Sequence, residues 1–422
     1  MNNLIQSLKK KAYDLLRKAQ KYTKTDNVYL AKGGTWLAIS QIGVMVVSLA
    51  MGVVWARFVP KEVYGQYKFI LSLAGILAIF SLGGMKAVTT QAVAKGFEGT
   101  IKPILKTRFR WSTLALLGGF ILAIYYWING NQVLAISFLI AGALTPIINN
   151  FSIYGDYISG KKRFDLQAKY SLIRTVLDSL SIIIAIFLTK NVIYLILVYF
   201  ATGSILHIFF YFFTLKKLPP NQNIDPGAVK HGKHLSVVSV IGKIGDQLDK
   251  ILIFHYLGAV ELAVYSFAVA LPNFLTTPTT IIKEMALPKF SARNEKDIKK
   301  TAWSKIVRFG LFLLVSTALY IIFAELIFKL FFPTYMESVL YSRIYAISLI
   351  GGITFLPRLV FVAKSKTKIL YKYTTSMQIT RILILFVSVY FFGLIGIMVG
   401  HVIYSFISIL IAFLFFRSYS KT

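Results

Sequence analysis

The side chains with the clearest chemical potential interrupt an apolar stretch near the middle of the chain. On a helix, one face of about 100° holds four of them: Lys243, Asp246, Gln247 and Lys250. Asp249 lies about 120° away from Lys243. A charge at mid-bilayer costs at least about 2.5 kcal/mol on insertion scales, so it usually faces a polar cavity or a partner. We predict that this face lines a cavity; the alternative is a self-neutralising Lys243, Asp246 and Lys250 stripe that packs helices together.

Motifs for bond-breaking chemistry are missing from the sequence. Gly227, Gly232 and Lys233 have the spacing of a phosphate-binding loop, but His234 stands where that loop needs Ser or Thr for the metal ion. The chain has no Cys, which excludes thiol chemistry and a disulfide framework. Neither an H-E-x-x-H nor a G-x-S-x-G motif occurs. We therefore predict that the protein is not an enzyme and has no cofactor and no metal site.

The composition is typical of a membrane protein. Of 422 residues, 56% are hydrophobic and 15% are charged, whereas soluble domains have roughly 25% charged residues. Apolar runs of the roughly 20 residues that a membrane helix needs recur along the chain. The 47 Lys and Arg outnumber the 16 Asp and Glu, which gives a formal charge of +31. A nucleic-acid-binding domain has no room outside the apolar runs, so no nucleic-acid partner is expected.

Twelve apolar runs predict an all-α integral membrane protein with twelve transmembrane helices. The predicted spans lie near residues 35–56, 69–93, 112–128, 133–154, 171–188, 192–213, 235–256, 260–282, 306–327, 339–362, 373–392 and 394–416. A segment at 216–234 contains three Pro and reads as an irregular connector. We therefore predict a six-helix lobe at 35–215, a cytoplasmic linker at 216–234 and a second six-helix lobe at 235–422.

The distribution of basic residues orients the spans. The two termini and every second loop carry 38 of the 47 Lys and Arg, whereas the alternate loops carry six. Because basic residues beside short loops stay in the cytoplasm, both termini are predicted to be cytoplasmic. We expect a multi-pass membrane protein.

The first 34 residues predict a basic amphipathic segment that lies on the membrane surface. Leu4, Leu8, Leu15 and Ala19 recur at helical spacing, and Lys and Arg cover the remaining surface. A solvated basic tail is the alternative.

Two segments carry a resemblance to a known family. Residues 56–67, ARFVPKEVYGQY, resemble the AR-x-LGPEEYG-x-Y turn of lipid-linked oligosaccharide flippases of the Wzx type, which are polysaccharide transporters. Residues 257–266, LGAVELAVYS, resemble the LGA-x-E-x-G-x-YS segment of the same family. A shift of 198 residues also places Tyr67 on Tyr265. Such a repeat is typical of transporters built from two related halves.

The resemblance implies a fold and a function. The fold is the one shared with multidrug exporters, with two pseudo-symmetric six-helix lobes. The implied function is alternating-access transfer of a polyprenyl-diphosphate-linked oligosaccharide repeat unit from the cytoplasmic to the outer leaflet, for O-antigen, lipopolysaccharide, capsule or exopolysaccharide biosynthesis. Implied partners are this lipid, the membrane lipids, and the polymerase and glycosyltransferases of the pathway. The driving force would come from Na+ or H+ coupling, the membrane potential or consumption of product.

A diphosphate that crosses a low-dielectric region requires cations, and both Lys and Arg can bind phosphate. The predicted substrate-binding residues of a cationic cavity are Lys243, Lys250, Gln247, Arg57, Lys86, Lys283, Arg358 and Arg381. Three of them end helices and can instead snorkel to lipid headgroups: Arg57, Lys86 and Lys283. The predicted coupling-ion residues are Asp246 and Asp249. We expect the Arg174 and Asp178 pair to be structural, and His207 and His401 to be packing residues.

Two other functions remain open at this stage. An ion-coupled multidrug exporter of the same superfamily would need acidic membrane residues for cationic drugs, yet basic residues inside the spans are at least as numerous. A membrane-embedded glycan polymerase or ligase would usually build its site on a large outer loop, and the predicted outer loops are short.

Overall fold

The computed structural model describes residues 27–276, 295–355, 357, 360–361 and 367–421. In these residues every regular element is a helix. The first half of the chain contains α1 (Asn27–Phe58), α2 (Lys61–Leu77), α3 (Gly84–Ala94), α4 (Ile101–Ile128), α5 (Gln132–Phe151), α6 (Ile153–Gly160), α7 (Phe164–Leu188) and α8 (Val192–Lys217). The second half contains α9 (Ala228–Leu257), α10 (Ala259–Phe274), α11 (Glu295–Phe331), α12 (Ser338–Ser348) and α13 (Thr367–Lys421).

Eight helices of the described residues are long and apolar enough to cross a membrane. Helix α9 has 30 residues, but four charged side chains between Lys243 and Lys250 lower its hydropathy. Helices α10 and α12 are apolar but shorter, and α12 continues as a 3-10 helix to Thr354. The prediction of an all-helical, multi-pass membrane protein is confirmed. Residues 1–26 of the predicted surface segment lie outside the described residues.

The second predicted span differs from expectation, because it is two helices instead of one. Helix α2 begins at Lys61, earlier than the predicted residue 69, and a 3-10 turn at Ala78–Ser81 follows it. Leu82 then has a φ of 53°, which a helix cannot contain. Helix α3 begins at Gly84, whose N–H donates to Ser236 Oγ at 3.0 Å. The break therefore brings the start of α3 against α9.

A buried arginine supports this break. Arg108 of α4 is fully buried, and its Nε donates to the carbonyl oxygen of Ser81 at 2.9 Å. Its Nη2 donates to the carbonyl oxygen of Asn149 at 2.5 Å. These carbonyls lie where the 3-10 turn and the Pro146-containing helix α5 end, so Arg108 satisfies acceptors that the irregular backbone leaves free.

The connector between the halves is shorter than the predicted 216–234. Helix α8 continues to Lys217 and α9 begins at Ala228, so only residues 218–227 are non-helical. Asn221 Nδ2 donates to the carbonyl oxygen of Gly96 at 2.7 Å, and the N–H of Asp225 donates to Thr100 Oγ1 at 2.9 Å. Pro219 and Pro220 prevent α8 from continuing, whereas no Pro follows Pro226 within the predicted linker.

The last two predicted spans meet without a loop. Helix α13 covers both of them, and Gly393, at φ 58°, is the non-helical residue between them. Glycine adopts this left-handed conformation without the penalty that a side chain brings. The predicted boundary between spans at residue 393 therefore coincides with a sharp backbone break.

Candidate functional site

The polar face of α9 points toward the first half of the chain. Lys250 Nζ donates to Gln247 Oε1 at 3.1 Å. Gln247 in turn packs on α2, since a Cβ built on Gly75 would lie 3.1 Å from its Cδ. Four residues after Lys250, the ring of Phe254 stacks on Phe69 of α2 with centroids 3.7 Å apart. This face is therefore part of the contact between the two halves of the chain.

Asp246 has a partner on another helix of the second half. Arg381 of α13 donates from Nη1 to Asp246 Oδ1 at 3.2 Å. No ion pair joins Asp246 to Lys243 or Lys250 in the part of the chain that the structure describes. Arg381 therefore neutralises Asp246.

Further cations of the first half approach the polar face of α9. Among the charges that act on Lys86 of α3, the carboxylate of Asp156 is the strongest, and Lys243 and Arg174 follow. Lys250 interacts with Asp249 of its own helix and with Lys68 of α2. We call these five residues, Lys68, Lys86, Arg174, Lys243 and Lys250, the cationic cluster. The carboxylates beside the cluster are Asp156, Asp178, Asp246 and Asp249. They are fewer than its cations, so an anion bound among the cations would be stabilised.

Two members of the cationic cluster were not among the predicted site residues. Lys68 was assigned to an outer loop, but α2 begins at Lys61 directly after Pro60, which places Lys68 about 10 Å along the helix. Pro60 was the available signal, because Pro is common at helix starts. The predicted pair of Arg174 with Asp178 is present at 3.2 Å, yet Arg174 also lies within range of Lys86.

Other predicted site residues lie elsewhere. Arg57 is exposed and donates from Nη2 to the carbonyl oxygen of Leu330 at 3.1 Å, at the end of α11. Lys283 and Arg358 lie outside the described residues.

Arg57 belongs to a set of bonds that ties the two halves together at one end of the bundle. Thr334 Oγ1 donates to the carbonyl oxygen of Ala56 at 2.7 Å. Lys61 Nζ donates to Glu337 Oε1 at 2.5 Å. We call the bonds of Arg57, Thr334 and Lys61 the latch. It fastens the α1–α2 turn to the segment between α11 and α12.

A cavity of about 440 Å³ lies between the two halves. Helices α1, α2, α7, α8 and α10 contribute its walls, together with Phe332. Its lining is rich in aromatic rings, among them Trp55, Tyr64, Tyr67, Tyr199 and Phe267. Lys68 of the cationic cluster also lines it, as does Asp178, the partner of Arg174. We call this cavity the aromatic cavity. It adjoins the cationic cluster.

Asp249 lies apart from this face, inside the second half, where it is 5% exposed. The hydroxyl of Tyr265 donates to its Oδ2. The same hydroxyl lies 3.0 Å from His401 Nε2, which is 3.9 Å from Asp249 Oδ2. We call Asp249, Tyr265 and His401 the buried triad. His401, which was expected to be a packing residue, is thus joined to a carboxylate.

The described residues contain no group of three or more His, Cys, Asp or Glu that could hold a metal ion. The buried triad offers one carboxylate, one imidazole and one phenol. The three side chains form one buried polar network.

Comparison with solved structures identifies the fold. The chain resembles an outward-facing multidrug resistance MATE family transporter of the MOP superfamily, with a TM-score of 0.66 and 14% identity, over 92% of this chain and 95% of that one. It resembles the lipid II flippase MurJ in an inward closed conformation, with a TM-score of 0.69 and 15% identity, over 92% of this chain and 87% of that one. A MOP superfamily transporter from Pyrococcus furiosus is similar at a TM-score of 0.61 and 15% identity, over 93% of this chain and 97% of that one.

Sequence comparison identifies the family. No curated protein sequence matches the chain. The family model described as polysaccharide biosynthesis protein matches residues 30–291, which is more than half of the chain. This match covers both resembling segments, 56–67 and 257–266. The chain therefore belongs to the polysaccharide biosynthesis protein family.

Proposed function

We propose that the protein flips a polyprenyl-diphosphate-linked oligosaccharide from the cytoplasmic to the outer leaflet of a bacterial inner membrane, for surface polysaccharide biosynthesis. The observation that carries this proposal is the cationic cluster. Its members come from both halves of the chain, with Lys86 and Arg174 from the first and Lys243 and Lys250 from the second. Such a cluster would bind the diphosphate, which is the anionic group of the substrate expected for this family.

The proposal includes a topology. Twelve spans in two six-helix lobes, with cytoplasmic termini, put the cationic cluster within the membrane and the latch at its outer end. The latch then holds the outer side closed in the described conformation. Release of the latch during rocking of the halves would expose the cavity to the outer leaflet, as alternating access requires.

The buried triad supports a place for the coupling ion. Of the two predicted carboxylates, Asp246 is half exposed and paired with Arg381, whereas Asp249 is buried beside Tyr265 and His401. We propose Asp249 as the coupling residue, with H+ as the ion, because its neighbours are titratable side chains and no second carboxylate contacts it in the described residues. Asp246 then acts as a partner of Arg381.

A multidrug exporter of the same superfamily is the competing function. The aromatic cavity and Asp178 are features that a cationic drug could use. Arg174 neutralises Asp178, however, and Lys68 lines the same cavity. The electrostatics of the site therefore favour an anionic substrate.

The test is transport in proteoliposomes. Wild-type protein should move a fluorescent polyprenyl-diphosphate sugar between leaflets, and Lys86→Ala and Lys243→Ala should slow it by roughly tenfold or more, because each removes a charged hydrogen-bond donor to phosphate. Lys230→Ala is the matched control, since Lys230 is an exposed lysine of the same helix α9. Export of cationic dyes without any lipid transport would establish the exporter instead. Formation of a new glycosidic bond would establish a polymerase or ligase.

A further inference from the structure

The aromatic cavity is lined by rings that have no role in binding a diphosphate at the cationic cluster. Trp55 packs against Tyr67 with ring centroids 4.6 Å apart and against Tyr64 at 5.0 Å. Tyr64 contacts Phe267 of the other half at 5.0 Å, and Tyr199 meets Tyr67 edge-on at 6.0 Å. A diphosphate gains nothing from aromatic faces, because their centres carry partial negative charge. The cavity therefore suits a different part of a ligand.

The polar groups of the cavity are few and incompletely satisfied. Asp178 Oδ2 accepts from Arg174 at 3.2 Å, but its Oδ1 is buried without a hydrogen-bond partner. The ammonium group of Lys68 lies 5.1 Å from the centroid of the Tyr64 ring. A buried acceptor without a partner costs about 1–3 kcal/mol. Because Oδ1 has no accessible surface, a ligand in the cavity can reach only the rest of the Asp178 side chain, which is 23% exposed.

A sugar matches both features of this lining. A pyranose ring has C–H-rich faces, which are apolar and carry partial positive charge, so they stack on the negative faces of aromatic rings. Its hydroxyl groups donate to a carboxylate such as Asp178 and accept from an ammonium such as Lys68. An isoprenoid chain would offer neither polar group a hydrogen bond, and a cationic drug would meet the charge of Lys68. The volume of about 440 Å³ lies within the roughly 300–1,000 Å³ of small-ligand sites, so it takes a short oligosaccharide.

The position of the cavity fits the order of groups in a lipid-linked sugar. Lys68 lines the cavity and lies within electrostatic range of Lys250, so the cavity begins where the cationic cluster ends. Trp55 also lies two residues from Arg57 of the latch, so the cavity extends toward the latched end of the bundle. A diphosphate on the cluster would thus place the attached sugar in the cavity.

We infer that the aromatic cavity is the glycan subsite, in which the exposed ring of Tyr199 is the main stacking surface. The buried rings of Trp55, Tyr64 and Tyr67 complete the apolar wall, and Asp178 and Lys68 bind sugar hydroxyls. This inference rests on the proposed flippase function. It assigns recognition of the sugar to residues separate from those that bind the diphosphate.

The test compares two lipids in proteoliposomes: a fluorescent polyprenyl diphosphate without sugar, and the same lipid carrying an N-acetylglucosamine-containing disaccharide. The readout is the ratio of the two translocation rates. Tyr199→Leu should lower the ratio of glycosylated to bare lipid by roughly threefold to tenfold, the effect of one lost aromatic contact. Tyr199→Phe keeps the ring and should retain most of the wild-type ratio. Tyr194→Leu is the matched control, since Tyr194 is an exposed tyrosine of α8 outside the cavity lining.

The outcomes separate this inference from the proposed function. Equal transport of both lipids by wild-type protein, an unchanged ratio in Tyr199→Leu, or the same fall in Tyr194→Leu would overturn the glycan subsite alone. Absence of transport of either lipid, with export of cationic dyes, would overturn the flippase function and the subsite with it. Thermal melting of each purified variant identifies a loss of folding. Both rates are measured on the same protein sample, so their ratio does not depend on the fraction of folded protein.

Discussion

Gly65 of α2 and Ala259 of α10 touch backbone to backbone, since a Cβ built on Gly65 would lie 1.8 Å from the carbonyl oxygen of Ala259. The contact joins the two segments that resemble the family motifs, 56–67 and 257–266. Only glycine permits two helices to approach this closely at such a point. The glycine of the first motif is therefore explained by packing between the halves.

Replacement of this glycine should destabilise the contact between the halves. Gly65→Ala adds a methyl group where backbone atoms already lie, and overpacking of this kind costs about 1–3 kcal/mol. We expect a lower midpoint of thermal unfolding in detergent. Gly155→Ala is the control, because a Cβ on Gly155 meets nothing within 4 Å, and it should leave the midpoint unchanged or raise it. Equal midpoints for the two variants would contradict the backbone contact.

Weakening the latch should favour the conformation that is open at its end of the bundle. Lys61 and Glu337 form a partly exposed ion pair, and such a pair contributes about 0–1 kcal/mol. Glu337→Ala should therefore raise the open population by up to about fivefold. The chain has no Cys, so a single Ser48→Cys in the cavity lining reports opening through its labelling by an impermeant maleimide.

A charge exchange provides the control for the latch. Lys61→Glu should accelerate labelling of the cavity cysteine, and addition of Glu337→Lys should return the rate toward that of the parent. If the double exchange labels as fast as Lys61→Glu, the ion pair has no part in closing this end.

Loss of the carboxylate in the buried triad should uncouple transport. Asp249→Asn keeps the shape of the side chain but removes the charge that faces Tyr265 and His401. We expect the substituted protein to lose the acceleration that an imposed pH gradient gives the wild type. Asp246→Asn, on the same helix, should keep that acceleration. Retention of the pH-gradient response in Asp249→Asn would exclude this residue as the coupling group.

Arg108 should be essential for stability although it is charged and buried. Arg108→Ala leaves the carbonyl oxygen of Ser81 without its side-chain donor, at about 1–3 kcal/mol for a buried acceptor. It also removes one of the two donors to the carbonyl oxygen of Asn149, the other being Ser152 Oγ. We expect a large loss of monodisperse protein in size-exclusion chromatography. Arg110→Ala, which removes an exposed arginine of the same helix, should behave like wild type. Normal recovery of Arg108→Ala would show that the break after α2 forms without this support.

Hydropathy and breaker residues predicted much of the helical framework. The Pro pair at 219–220 marked the end of α8, and the boundary at Gly393 was placed correctly, because these residues act locally. The separation of Asp249 from the Lys243 face also followed from helical geometry alone.

Hydropathy and breaker residues do not predict contacts between residues that are far apart in the sequence. From the sequence, Arg108 is predicted to lie in a cytoplasmic loop, because it is charged and precedes an apolar run. The buried carbonyl oxygens that bind it are not visible in the sequence. Tyr265 and His401 are 136 residues apart, and nothing local marks them as neighbours of Asp249. Lys68 was missed because Lys61 and Glu62 made the start of α2 look like part of a loop.

The connector is fixed to the first half as far as Asp225, through Asn221 and Thr100. Only Pro226 and Gly227 remain before α9 begins at Ala228. The three steps from Asp225 to Ala228 span at most about 11 Å, so the start of α9 cannot travel far from the first half. Any rocking of the second half must then be a rotation about this short connector. Its displacement is smallest near Ala228 and largest at the opposite end of α9, where the latch closes the bundle.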